Sequence, residues 1–464
     1  MPFIRSRNAA MLIKIEPTEA VFTAPSNTMD GVLVENPKIG FNPQNVNTNE
    51  VAASLDGRGP IIGGTQCDIS FDVYLKGMGI PGTPPELSES LRICGWGETA
   101  TQTPKTGTTF AVTGTNTITD SANGLATLTV GTLLYLSSPA NPYAELLVTA
   151  SAAGSLTVTK LDGSAPGLTN EAAGGTWTME YGLAGTAATA GTNTSLTMQA
   201  PWAATAQAYR GMPVALSTNP AAGAYAFISD YTVGRVATLT DLFGTALSAT
   251  TKASLMANVL YQPISNAIPS ASIMFYMDGK VWSFKGCRGD VDFTFDAAGA
   301  CKASFRLMGM FQAVADAAVP SVTYDATRPG TFRNSVMLVD RLVTALGAIT
   351  LKTGNQLVWP DDPNASEGFG APQIVSRSMS GQMDPYTQLE ATRSLMTDFR
   401  AGNQKIVHGR VLGSNAAKHG NRVAVTVPLA VYTDYGLDPA DGLSKEPVGF
   451  FPYGPDAGFS ICFW

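Results

Sequence analysis

Residues able to do chemistry are few and scattered in this 464-residue chain. The only histidines are His408 and His419, and neither has the neighbouring Ser, Cys or Asp pattern of a nucleophile elbow or a metal motif. Members of a Ser-His-Asp site can lie far apart in sequence, so spacing alone does not remove one. A retaining glycosidase needs two carboxylates about 5 Å apart in a cleft, and no acidic pair stands out for that role. Cys67, Cys94, Cys287, Cys301 and Cys462 are odd in number and form no CxxC pair. Zinc sites and a disulfide framework are therefore poor readings, and buried free thiols a better one. GRGPIIGG, from Gly57 to Gly64, lacks the flanking strand and helix and the Lys-Ser/Thr ending of a phosphate loop. It reads as a mobile loop. Arg288-Gly289-Asp290 spells an adhesion tripeptide within what reads as a strand. The expectation is a chain that is not an enzyme and takes no cofactor or metal.

Charge narrows the classes further. Lys plus Arg is 29 and Asp plus Glu is 36, for a net charge of -7. No basic cluster is present, so tight binding to DNA phosphates is disfavoured. Charged residues make up 14% of the chain, against about 25% in an average soluble protein. The hydrophobic 44% suffices for a sizeable core. No apolar run approaches the roughly 18 residues of a membrane span, and MPFIRSRNAAMLIKIEP has no continuous apolar segment of a signal peptide. No membrane insertion is expected.

The acids that remain lie on alternating segments. Cys67, Ile69, Phe71, Val73 and Leu75 alternate with Asp68, Ser70, Asp72 and Tyr74. Val291, Phe293 and Phe295 alternate with Asp290, Asp292, Thr294 and Asp296. Period two predicts strands with one buried and one wet face, as in antiparallel sheets. Residues 302–307 and 422–427 alternate in the same way. Helices are few. Thr83-Pro84-Pro85-Glu86 fits a capping box before a helix from Glu86 to Cys94, stopped by Gly95. Asp384 and Pro385 read as the start of a second helix, with Leu389, Met396 and Phe399 as its apolar stripe and Gly402 as its stop.

Two repeats organise the chain. GTLLYLS at Gly131 returns as GMPVALS at Gly211, and GSLTVTKLDG at Gly154 as GRVATLTDLFG at Gly234, both at an offset of 80. TMEYG with Tyr181 is matched to NVLYQ with Tyr261 at the same offset. Two small all-β modules are expected, at 100–182 and 183–261, inserted into a host domain. Trp177, Trp202, Tyr209 and Tyr225 there read either as core or as sugar-stacking residues. A weaker duplication relates 1–99 plus 262–320 to 321–464, each with strands, one helix and further strands.

With those segments in place, a resemblance becomes visible. GPIIGGTQCDISFDVYLKGMGIPGTPPELSESLRICGWGET resembles the signature region of phage tail tube proteins, the major tail proteins of long-tailed bacteriophages. Residues 269–320 resemble the later strands of that family, as do QIVSRSMSGQMDPY and HGNRVAVTVPLAVY. The resemblance covers roughly 300 residues and leaves out the insertion.

It implies a mainly β fold: two tandem tail-tube β-sandwich domains, each with a flanking helix, and the two modules inserted in the first. It implies rings that stack into a hollow conduit for genome delivery. Trimeric, pseudo-hexameric rings are favoured by the duplication, with hexameric rings as the alternative. Implied partners are other copies of the chain, the tape measure protein and tail-end proteins, with double-stranded DNA in transient passage. The implied location is the virion tail, assembled in the host cytoplasm. The other structural reading is a distal tail ring or a capsid decoration protein.

A conduit must not hold a polyanion. Asp68, Asp72, Asp290, Asp292 and Asp296 are therefore candidates to line the lumen and repel DNA. The alternative is an ordinary solvated outer face. His408, Arg410 and Arg422 on candidate strands of the second copy make that wall less acidic. By resemblance, Asn42 to Gly64 is a long loop reaching the adjacent ring, with Asn45, Asn47, Asn49, Glu50, Asp56 and Arg58 as its contacts. The modules are expected outside the tube.

Overall fold

A computed structural model describes residues 3–47, 59–142, 144–218, 223–412, 419–440, 442–454 and 456–464. The chain is mainly β, with 52% of residues in strands and 4% in two helices, so strand pairing sets its architecture. Among the described residues there is one large sheet, two seven-stranded sheets and two small hairpins.

The large sheet contains the same strand order twice. Its first half has β1 (Ala9–Ile15), β2 (Gly31–Val32), β3 (Glu35–Val46), β4 (Ile61–Tyr74), α1 (Ser88–Ile93), β5 (Trp96–Thr101), β6 (Asn258–Pro263), β7 (Ala271–Met277), β8 (Lys280–Asp296) and β9 (Lys302–Asp316). The second half has β10 (Val336–Val339), β11 (Leu342–Val343), β12 (Leu346–Lys352), β15 (Ser380–Pro385), α2 (Leu395–Ala401), β16 (Gln404–Val411), β17 (Val423–Tyr435), β18 (Val448–Pro452) and β19 (Ser460–Phe463), with β13 (Asn355–Val358) and β14 (Gln373–Arg377) forming a separate hairpin between β12 and β15. Pairing in the first half runs β2-β1-β7-β8-β9-β4-β3. In the second half it runs β11-β10-β16-β17-β18-β15-β12. There β19 takes up the pairing with β17 where β18 stops.

The long hairpin repeats in register. Val46 faces Ile61 and Val358 faces Gln373, an offset of 312 positions on both strands. Pro43–Thr65 then matches Asn355–Arg377, and Gly40–Asp68 matches Lys352–Ser380. Both hairpins carry a bulge at the same place, between Pro43 and Asn45 and between Gln356 and Leu357. Asp72 and Tyr74 correspond to Asp384 and Tyr386 at this offset. A lysine ammonium sits over each tyrosine ring, Lys302 over Tyr74 at 4.7 Å and Lys445 over Tyr386 at 5.2 Å.

Alternation places the core as expected. Cys67, Ile69, Phe71 and Val73 are buried on β4, and Val291, Phe293 and Phe295 on β8. One hydrophobic cluster runs through both halves. Trp96 and Phe293 of the first half meet Phe459 of the second at 5.0 and 5.8 Å between ring centroids. Each such buried aromatic contributes roughly 2–3 kcal/mol.

Both helices start later than their sequences suggest. α1 begins at Ser88, with Leu87 at its N-cap and no side-chain cap. Glu86 instead accepts the Asp325 amide and lies 3.3 Å from the Lys76 ammonium. Asp384 and Pro385 end β15 rather than open α2, because the Asp384 carboxylate accepts the Gly347 and Ala348 amides at 2.8 and 2.6 Å. α2 spans Leu395–Ala401 and closes, as expected, on Gly402 in the left-handed region (φ 64°). Leu389 and Met396 are exposed, so of the expected apolar stripe only Phe399 packs, stacked on Tyr435.

The two seven-stranded sheets repeat each other. Strands starting at Thr103, Phe110, Leu133 and Ala144 recur at Leu183, Ala190, Pro213 and Ala224. The strand order is the same in both sheets. The third sequence match, Tyr181 with Tyr261, is a coincidence of spacing. Strand Trp177–Tyr181 corresponds to Lys252–Leu255, which borders the same neighbours, whereas Tyr261 lies in β6 of the large sheet. β6 pairs with β5 so that Asn258 faces Thr101. The chain thus leaves the large sheet and returns to it at one point. Trp177 and Trp202 are buried, and Tyr209 packs on Trp202 with centroids 5.0 Å apart, so these rings pack the module interiors.

Candidate functional site

Long-range pairing brings all five singled-out aspartates to one face of one sheet. β3, β4, β9, β8, β12, β15, β18 and β17 form an unbroken antiparallel run across both halves. Ser304 faces Asp72 on one side and Asp292 on the other, and Asp292 faces Lys352 beyond it. Arg306 lies between Ser70 and Asp290 in the same manner. The opposite face carries the shared core.

This face is mixed rather than uniformly acidic. Lys38, Lys302, Arg306 and Lys352 interleave with Glu35, Asp68, Asp72, Asp290, Asp292, Asp296 and Asp434. Several acids have local partners. Arg306 Nη2 reaches Asp292 at 3.0 Å, Ser304 Oγ donates to Asp72 at 2.6 Å, and Asn42 donates to Asp68. The Lys302 ammonium lies 2.7 Å from Glu35 and lowers its pKa through that hydrogen bond. Asp290 is half-buried and accepts the Asn355 amide at 2.9 Å. Burial raises its pKa, and the Asp292 charge adds to the rise. Asp296 stands exposed at the end of β8.

The run has one internal seam and two open edges. The seam is β8–β12, where Asp292–Asp296 pairs with Ala348–Lys352 and joins the halves. By the 312-residue offset, β12 corresponds to β3. Among the described residues nothing pairs with the outer side of β3. Likewise, β16 pairs with β17 only as far as Val431, leaving Tyr432–Tyr435 open on that side. Carried through β18 and β9, residues 432–435 match 289–291, so the counterpart of the Asp292–Asp296 stretch that receives β12 begins just beyond them, at Gly436. There, among the described residues, Asp438–Ala440 pairs only with Leu443–Lys445, leaving its other side open.

The second long hairpin docks beside the seam. Asn355 Nδ2 donates to the carbonyls of Cys94 and Gly289 at 2.7 and 2.9 Å. Arg377 Nη2 donates to the carbonyls of Gly95 and Ile264 at 3.0 and 2.9 Å. The hairpin therefore seals the C-terminal end of α1. Its counterpart, the distal part of β3 and β4, meets Glu367 through the Thr65 amide at 2.8 Å and leaves Phe41, Val46, Ile61 and Ile62 exposed. Asn45 is exposed on β3 and Asn47 is exposed just beyond it. Asn49, Glu50, Asp56 and Arg58 lie outside the described residues. Ile61–Gly64 begins β4 and is not loop.

The remaining chemical residues have packing roles. His408, Arg410 and Arg422 do not line the wet face; they are buried where the modules sit on the second half. Arg410 donates to His408 Nε2 at 2.9 Å and pairs with Asp241 of the second module. Burial, then the Arg410 charge, pushes the His408 pKa well down. His419 Nδ1 lies 2.7 Å from Glu145 of the first module, with Arg422 3.6 Å from the same carboxylate. Burial opposes the charge on Glu145, but the His419 contact and Arg422 outweigh it and keep its pKa low. Arg288 is buried, with its guanidinium 3.0 Å from Glu19, so the adhesion tripeptide is not presented. All five cysteines are buried and free. Among the described residues no cluster of His, Cys, Asp or Glu fits a metal ion, and no helix is long and apolar enough to cross a membrane.

Sequence reasoning missed the docked hairpin. The usable signal was Gln44 and Val46 against Gln356 and Val358, each set followed by a loop of equal length. Compared with known proteins, the chain matches no family model and no curated protein.

Proposed function

We propose that this chain is the repeating subunit of a hollow tube of the phage tail-tube kind, closed by head-to-tail sheet pairing. The observation that carries the reading is the β8–β12 seam. The same two edges that meet there inside the chain stand open at the ends of the eight-stranded run. Pairing β3 of one copy with residues 436–440, the continuation of β17, in the next repeats the seam and leaves the next copy the same open edge. A heterologous contact of this type closes into a ring when its rotation permits. Unblocked sheet edges otherwise invite uncontrolled pairing. β3 carries Pro37 where β12 carries Ile349, so its ladder has one donor fewer than the internal one.

Geometry favours three copies. Three runs give roughly 24 strands; at ~4.8 Å spacing and ~40° tilt the backbone circle is about 48 Å across. Subtracting ~5 Å of inward side chains on each side leaves a bore of roughly 38 Å, wider than a DNA duplex. Six copies would double the circle. The core face is already covered, so the charged face is the one left for the bore. Acids outnumber bases on it, and they are spaced by lysines and arginines that limit their mutual repulsion. A net negative wall gives DNA few phosphate contacts and keeps it moving.

Negative-stain microscopy with native mass spectrometry of the purified chain tests this. Striated tubes, or rings of three chains, are expected. Six chains per ring would overturn the trimer. A chain that stays monomeric at all concentrations would overturn the tube reading, and unstacked single rings would favour a distal ring protein.

A further inference from the structure

We infer that the first long hairpin, distal β3 with distal β4, docks on the C-terminal end of α2 in the neighbouring copy of the same ring. This rests on the head-to-tail reading and adds to it a second contact, away from the paired edges.

The template is inside the chain. The second hairpin shares its register, bulge and loop length with the first. It docks where α1 ends, on the carbonyls of Cys94 and Gly95. Both helices end on a left-handed glycine, Gly95 (φ 80°) and Gly402 (φ 64°). The two ends differ in occupancy. A Cβ at Gly95 would collide with the Arg377 guanidinium, whereas a Cβ at Gly402 would meet nothing within 4 Å. Cys94, Gly95 and Trp96 are buried, while Ala401, Gly402 and Asn403 are exposed. The first hairpin touches Glu367 and Phe369 of its own chain at Gly64 and Thr65 but covers no helix end, whereas the second half has a helix end that no hairpin covers. When β3 is placed on the continuation of β17, residues 436–440, of the next copy as β12 lies on β8, the two unfilled surfaces meet.

The chemistry is complementary but not identical to the template. Pro43 and Thr65 replace Asn355 and Arg377, so the guanidinium clamp is absent. Exposed Ile61 and Ile62 instead offer apolar surface, and exposed Met396 on α2 offers the same. The contact is a hydrophobic cap over a helix end rather than an ionic lock. A contact lacking the clamp is weaker than its internal version, which lets a monomer stay folded before it assembles. Under this arrangement the hairpin stem serves the same ring, and only the loop tip is left to reach a stacked ring.

Paired cysteines test the placement. Pro43→Cys and Asn403→Cys are both at exposed positions, and the five native cysteines are buried. A short bis-maleimide should link neighbouring chains of the double variant into covalent rings, and neither single variant should do so. Rings that assemble without this cross-link, or cross-links that form only between stacked rings, overturn the inference while leaving the tube reading intact. Absence of any oligomer overturns both. As a second arm, Ile62→Asp should raise the concentration needed for assembly at least tenfold without changing the monomer's circular dichroism; unchanged assembly counts against the docking.

Discussion

Replacing Arg377 with methionine should loosen the second hairpin from α1 while leaving the rest of the sheet intact. The guanidinium is largely buried and donates to the carbonyls of Gly95 and Ile264 and to Asn355 Oδ1, at 3.0, 2.9 and 3.1 Å. Asp456 lies 3.9 Å from Nη1, too far to contribute much. Methionine keeps most of the apolar stem, so packing loss is small. Hydrogen bonds from a charged donor are each worth about 1.5–3 kcal/mol. The Gly95 carbonyl keeps the Ile264 amide at 2.9 Å and is not orphaned. Allowing for that and for rehydration in the open state, the local cost is about 2–4 kcal/mol. At 1.4 kcal/mol per factor of ten, opening becomes roughly 30- to 700-fold more frequent. Amide hydrogen exchange resolved to Asn355–Val358 and Gln373–Arg377 reads this directly. Protection should collapse there and hold in β1 and β7. A change under about threefold, or equal loss in β1, would refute the reasoning, and so would full recovery by Arg377→Lys, which cannot fork between two carbonyls.

Two further outcomes follow from the charged face. Asp290→Asn should stabilise the fold at pH 7, because burial raises the folded-state pKa of this carboxyl and its ionised form is strained there. The wild type gains relative stability as pH falls through the folded value, fully so below the unfolded value of about 3.9. Urea midpoints should therefore differ at pH 7 and converge near pH 3, and an equal gain at both would exclude this cause. Asp68→Lys with Asp296→Lys changes two exposed positions and should leave tubes intact while slowing DNA delivery; unchanged infectivity would remove this face from the bore.

The period-two segments made the wet and buried faces legible, and with them the mainly β fold. They could not say what stands across from each acid. Arg306 reaches Asp292 only because β9 returns beside β8, and Lys352 arrives from the other half of the chain. His408 and Arg410 alternate with buried Val407 and Val411, which on sequence alone marks a wet face. The modules cover that face, and strand period carries no information about a separate sheet lying on top. Asp384-Pro385 looks like a helix start by local chemistry. Its correspondence to Asp72-Val73, visible only at the 312-residue offset, marks it as a strand end. The hairpin clamp escaped notice because Arg377 and Asn355 have no counterparts in the first copy.

The low charge content follows from how these surfaces are used. Within the chain the two halves meet through strand pairing at β8–β12 and through side-chain donors to backbone carbonyls at the end of α1, contacts that consume few charged side chains. Charges also fasten the modules, where Glu145 and Asp241 hold them to the second half. Most charges left on the unbroken sheet lie on its one uncovered face. Divergence between the copies then has a direction. The internal hairpin carries Arg377 and Asn355 because its docking never needs to open. The equivalent surface on the first hairpin has only short polar and apolar residues. An ionic clamp there would let monomers lock in any order, whereas a weak cap closes only when the paired edge has already set the register.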